Sequence, residues 1–134
     1  MARATAHIDR QAYATTLKVA GRTLIADEPI ANGGGDAGPA PYDYLLAALG
    51  ACTAITLRMY ADHKGWLLES VEVSLHFYRE GNRSIIERTV SLTGALNDNQ
   101  KSRLADITER TPVTLTLKQA NEIQTRFTVD GSQS

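Results

Sequence analysis

The sequence predicts a single α+β domain in which antiparallel sheets pack against one long apolar helix. Three observations carry that reading. Segments of alternating apolar and polar residues fall into two groups, residues 1–27 and 68–130, and do not take turns with helices as repeated βαβ units do. Between the groups lies a helical segment, residues 41–64, whose stretch 44–57 is apolar on nearly every face. The chain has 134 residues, a size at which folding removes roughly 68% of the unfolded surface from water, so a core forms without disulfides or metals.

The first group reads as a three-stranded antiparallel meander. Its strands are ATAHIDR, QAYATTLKVA and RTLIAD. Tyr13, Thr15, Leu17 and Val19 alternate as a half-buried strand requires, and Gly21 breaks the run. Residues 28–40, EPIANGGGDAGPA, are too rich in Gly and Pro to hold a period and predict a flexible loop. Pro41 then suits a first helical turn, where its missing N–H costs nothing. Asp43 sits near the positive end of the helix dipole, Lys64 near the negative end, and Gly65 is a C′ stop. A helix apolar all round must be covered by sheet, by other helices or by a partner subunit. Its apolar run of about 14 residues is short for a bilayer span.

The second group begins with Val71, Val73, Leu75 and Phe77 alternating with polar residues. Glu80-Gly81-Asn82-Arg83 is a hairpin turn, and Ile86, Val90 and Leu92 give the returning strand one apolar face. Asn97 or Asp98 caps a helix running to about Arg110, with Leu104 and Ile107 inward, and Pro112 interrupts it. Ile123, Thr125, Phe127 and Val129 alternate as a last strand, and the terminal GSQS frays.

Several function classes lack support. A net charge of −1 and scattered Lys and Arg give no field for nucleic acid or an acidic membrane. Gly33-Gly34-Gly35-Asp36-Ala37-Gly38 matches GxGxxG, but the glycines do not directly follow a strand inside a parallel βαβ unit, which a dinucleotide cofactor needs. No cofactor is expected. His7, His63 and His76 fall on separate elements without metal-ligand spacing, and there is no GxSxG elbow. The N-terminus lacks the apolar core of a signal peptide, and one cysteine suits a reducing cytoplasm.

That cysteine, Cys52, is the candidate reactive group. Free cysteines are often inert core residues. A reactive one needs a thiolate, hence a nearby cation or a helix N-terminus. Cys52 lies about three turns into its helix, so activation must come from groups the fold brings in. Leu45, Ala48, Leu49, Ile55, Thr56 and Met59 share its face and would make an apolar pocket.

Residues 38–66, GPAPYDYLLAALGACTAITLRMYADHKGW, resemble the central helix of the osmotically inducible protein C (OsmC) and organic hydroperoxide resistance superfamily. LIADEP, the strand at residues 69–75 and the closing EIQTRF extend the resemblance over nearly the whole chain. It implies an intertwined homodimer with the long helices in a shared core. It implies a thiol peroxidase, peroxiredoxin-like in chemistry and serving the oxidative-stress response, that reduces organic hydroperoxides and is regenerated by a thiol reductant. Cys52 matches the peroxidatic cysteine. Arg10, at the end of the first strand, matches the arginine that holds the thiolate, with Arg22 as the substitute. Two positions depart from the family. Thr111, before Pro112-Val113, stands where the resolving cysteine belongs, so resolution needs an external thiol. Tyr42 stands where a glutamate orients the arginine. The adjacent Asp43, nine residues from Cys52 at about 100° each, faces away from it, whereas Tyr42 lies about 80° from it. The alternative to the one-cysteine peroxidase is a non-catalytic, stress-related dimer that binds a small apolar ligand.

Overall fold

The structure is a computed structural model that describes residues 1–131. Its fold is α+β. Strands β1 (Ala4–His7), β2 (Thr15–Val19) and β3 (Arg22–Ala26) form the antiparallel meander, in register with Ala6 opposite Leu17 and Leu17 opposite Leu24. Helix α1 (Pro41–Lys64) follows, then a second antiparallel sheet of β4 (Leu67–Glu80) and β5 (Arg83–Ala95). Two helices close the chain, α2 (Asp98–Thr108) and α3 (Pro112–Lys118).

The long hairpin is the floor on which α1 lies. Val71, Val73, Leu75 and Phe77 of β4 pair with Leu92, Val90, Arg88 and Ile86 of β5, so these eight side chains share one face. Gly50 lets α1 approach that face: a Cβ there would sit 2.9 Å from Leu75 Cδ1. Leu57 of α1 meets Leu104 and Ile107 of α2 in the core, flanked by Tyr60, Trp66, Val71, Val90 and Leu92. Gly65 ends α1 in the left-handed conformation, and the Trp66 N–H returns to the Ala61 carbonyl at 2.9 Å, a Schellman closure. Asn97 caps α2 by accepting from the Gln100 N–H at 2.8 Å, and Gln100 Oε1 accepts from the Asn97 N–H at 3.0 Å.

Four expectations are corrected. The first strands are shorter than their alternation implies: residues 8–14 form a loop, and the Tyr13 N–H donates to Asp27 Oδ1 at 3.3 Å instead of joining a ladder. Arg10 is therefore in an exposed loop, not at a strand end. The glycine loop is built, not flexible. The buried Asp27 carboxylate also accepts from the N–H groups of Glu28 (2.7 Å), Gly35 (3.3 Å) and Ala37 (3.0 Å). These bonds, Ala37 first, hold its carboxyl below the ordinary 3.8. Pro112 does more than interrupt a helix: α2 has already ended at Thr108, and Pro112 opens α3 at its first position. Finally, the last strand is not formed. Residues 119–131 carry no helix or strand, and Ile123, Phe127 and Val129 are 80–85% exposed, because no strand edge runs beside them to complete a ladder. Ser132, Gln133 and Ser134, the end of the expected fraying tail, lie outside the described residues.

Over its full 24 residues α1 is long and apolar enough, by length and composition, to cross a membrane. Here it packs on β4, α2 and α3 instead. Its buried residues, Leu49, Thr53, Leu57 and Ala61, recur every four positions and make one stripe. Ala48, Ala51, Ile55 and Met59, on another face, are exposed in the single chain.

Candidate active site

Cys52 is half-buried, beside the Thr53 of the buried stripe. Its Sγ accepts the Val113 backbone N–H at 3.4 Å and lies 3.9 Å from Thr56 Oγ1. Val113 is in the first turn of α3, where backbone N–H groups have no acceptor within the helix. One such donor is thus spent on sulfur. The bond exists because Thr111 and Pro112 start a helix against α1. Thr111 is wholly buried, and its hydroxyl is 2.6 Å from that of Thr114.

A charge is built into the same contact. Arg88 comes from the inward face of β5, with its side chain 11% exposed. Its Nη1 donates to Thr53 Oγ1 at 3.0 Å and to Thr114 Oγ1 at 2.8 Å. Its Nη2 donates to the Thr108 carbonyl at 3.1 Å and stands 3.6 Å from Glu109 Oε2. Glu109 also accepts from Lys118 Nζ at 2.9 Å, and that bond first, then Arg88, keeps its carboxyl below the ordinary range. A cavity of about 430 Å³ opens beside these groups, with Leu49, Ile86 and Leu117 on its apolar side and Arg88, Glu109 and Lys118 on its charged side.

The other residues singled out in the sequence lie elsewhere in the single chain. Among the described residues Arg10 makes no side-chain hydrogen bond or ion pair, and Arg22 donates only to the nearby Ala20 carbonyl at 2.9 Å. Asp43 Oδ2 accepts the Ala40 N–H at 2.9 Å and so closes the start of α1. Tyr42 stacks on Phe77 with ring centroids 4.4 Å apart. Of the apolar face expected around Cys52, Leu49 is buried and lines the cavity, Thr56 meets the sulfur, and Ala48, Ile55 and Met59 face outward.

Sequence reasoning misses Arg88 although the alternation points to it. Ile86, Val90 and Leu92 set the inward positions of β5, and position 88 falls between them. A charged residue at a core position of a strand must find partners. The Val113 amide has no comparable signal, since it depends on where α3 docks.

A lone half-buried thiol in the middle of a central helix, met by the amide of a short second helix, defines a thiol-bearing α+β protein. The chain belongs to the OsmC-like family: the model for OsmC-like protein matches residues 33–126. Solved structures share the fold. An OsmC-like protein of Mycoplasma pneumoniae superposes with a TM-score of 0.75 at 18% identity, covering 88% of this chain and 87% of that one. An organic hydroperoxide resistance protein of Legionella pneumophila gives 0.66 at 21% identity, covering 88% and 89%. An organic hydroperoxide resistance protein of Bacillus subtilis gives 0.61 at 18%, covering 88% and 90%. No curated protein matches the chain.

Proposed function

We propose that the protein reduces organic hydroperoxides through Cys52 as its only redox thiol. The observation that carries this reading is the Cys52 sulfur itself, held half-buried with a backbone N–H aimed at it. That N–H fixes the direction of the sulfur, which as a thiolate is the nucleophile in thiol peroxidase chemistry. Structural neighbours named for organic hydroperoxide resistance support the choice of substrate class.

The chemistry balances with an external thiol. The Cys52 thiolate attacks the distal oxygen of ROOH, the O–O bond breaks, and the alkoxide leaves with a proton as ROH. Cys52 is then a sulfenic acid. A thiol R′SH condenses with it, releasing water and forming a mixed disulfide. A second R′SH frees Cys52 and leaves as R′SSR′. Thr111 supplies no sulfur for an internal disulfide, so the reductant must reach Cys52 from outside, and a half-buried sulfur permits that.

The active unit is a homodimer in this reading. The exposed stripe of α1 and the unpaired tail support it, because both leave apolar surface in water. A second reading, a small apolar ligand held without turnover, is favoured by the cavity beside Leu49, whose volume is ample for such a molecule.

The test is the intact mass of reduced protein after brief exposure to cumene hydroperoxide with dimedone present. One dimedone adduct per chain on Cys52, absent in Cys52→Ser, is expected. No adduct at excess peroxide would sink the peroxidase reading. A small molecule retained through native mass spectrometry would then favour the binding one.

A further inference from the structure

Arg88 does not touch Cys52, yet it holds both sides of the sulfur contact. Thr53 follows Cys52 in α1, and Thr114 follows Val113 in α3. One guanidinium nitrogen donates to both hydroxyls, at 3.0 and 2.8 Å. The other donates to the last carbonyl of α2, at Thr108, 3.1 Å away, and faces the Glu109 carboxylate at 3.6 Å. Three helices are therefore tied to one strand by one planar group. A guanidinium presents its donors in a fixed fork, so these bonds fix directions as well as distances. The Thr111–Thr114 hydroxyl contact continues the network to the N-cap of α3.

We propose that Arg88 is a positioning residue: it clamps α3 onto α1 so that the Val113 N–H stays aimed at the Cys52 sulfur. Nothing else in the described residues joins these two helices through polar side chains beside the thiol. Thr53 cannot do it alone, because its hydroxyl proton already goes to the Leu49 carbonyl at 2.8 Å, which leaves its oxygen free to accept from Arg88. Thr114 lies 2.6 Å from the Thr111 hydroxyl and also accepts from Arg88. The network is complete only with a multiple donor between the two threonines. Among the described side-chain nitrogens and oxygens, no buried one lacks a partner. Removing Arg88 would leave each threonine hydroxyl only its helix-internal partner, Leu49 for Thr53 and Thr111 for Thr114, and let α3 slide along α1.

The proposal deepens the peroxidase reading and rests on it for its importance, but its test does not. Cys52 is alkylated with iodoacetamide in the folded protein, and in parallel oxidised by cumene hydroperoxide with dimedone trapping. Arg88→Met, Arg88→Lys and Thr114→Val are compared with Asn97→Ala, which loses the α2 cap and touches none of these groups. Misplaced donors cost roughly tenfold to a hundredfold in rate. About a tenfold slower reaction at Cys52 is expected in Arg88→Met, at most partial recovery in Arg88→Lys, whose single ammonium cannot reproduce the fork, and a smaller loss in Thr114→Val. Asn97→Ala should melt earlier with an unchanged rate. In amide NMR, alkylation of Cys52 should shift the Val113 resonance in the parent and much less in Arg88→Met. Equal alkylation rates in the parent and a folded Arg88→Met would overturn the clamp. If Arg88→Met does not fold, Thr114→Val decides: a folded protein with the parent's rate and the parent's Val113 shift overturns it. A parent inert to peroxide whose alkylation still depends on Arg88 would remove the peroxidase reading and leave the clamp standing.

Discussion

Asp27 shows how one residue can organise a region that sequence patterns leave blank. Its carboxylate accepts four backbone N–H groups, from Tyr13, Glu28, Gly35 and Ala37. The GxGxxG run thus does use its amides to hold an anion, the same physics as a phosphate loop, but the anion is the chain's own. The lowered pKa of Asp27 fixes the sign of a pH effect. Its contribution to stability is fully present above the unfolded value of 3.8 and is lost as pH falls through the lower folded value. Thermal melting from pH 7 to pH 2 should show a drop below about pH 4 that Asp27→Asn lessens. Asp27→Asn should also melt lower than the parent at pH 7, since an amide offers one acceptor oxygen where the carboxylate offers two. Equal acid sensitivity in the two proteins would contradict this. At this scale Cys52 is legible as the only cysteine in a recognisable helix. Arg88 is half-legible, as a charge at an inward strand position. Asp27 is silent, because its partners are amides, and backbone donors carry no sequence signature.

Elements are legible where a period or a cap marks them and obscure where tertiary contact decides. The bounds of α1 follow from Pro41 and Gly65, and the cap of α2 from Asn97. The hairpin turn at Gly81 is equally plain, from its alternating flanks. The loop at residues 28–40 misleads because glycine marks both freedom and close approach. Here it is approach. A Cβ on Gly34 would run into the Glu28 carbonyl, and one on Gly38 into that of Ile25. Gly34→Ala should therefore cost about 1–3 kcal/mol, as overpacking does. Gly131→Ala, where nothing lies within 4 Å, should be near neutral. Urea unfolding of the two variants checks the pair, and a neutral Gly34→Ala would show that the loop gives way. Helix α3 is hidden in the sequence for a different reason. Seven residues hold too few turns to display a period, so Pro112 reads as a break until Thr111 is seen buried at the N-cap of a new helix.

At the scale of the whole molecule the unsettled quantity is surface. A helix apolar all round needs cover on most faces, and a single chain fully covers the stripe through Leu49, Thr53, Leu57 and Ala61 but leaves Ala48, Ala51, Ile55 and Met59 exposed. Ile55 and Met59 remain 57% and 65% exposed, and the tail presents Ile123 and Phe127 at 85% each. The strand-like alternation of the tail is sound as a pattern. It pairs with none of the open sheet edges of its own chain, and a second copy would present the same edges to it. Two helices packed along the Ala48, Ala51, Ile55, Met59 line could approach closely, because two of the four residues are alanines. Burying an Ile or Met side chain is worth about 1.5–3 kcal/mol, so a charge in its place should raise a dimer dissociation constant by roughly tenfold to a hundredfold or more. Sedimentation velocity of the parent should show a dimer at micromolar concentration. Ile55→Glu and Met59→Lys should shift it toward monomer, and removal of residues 121–134 should do the same. A parent that sediments as a monomer across that range would mean that the exposed stripe is covered by something other than a second copy. If Cys52 reactivity also falls with dimer dissociation in Ile55→Glu, the partner completes the environment of the sulfur. If it does not, Arg88 and Val113 within one chain suffice.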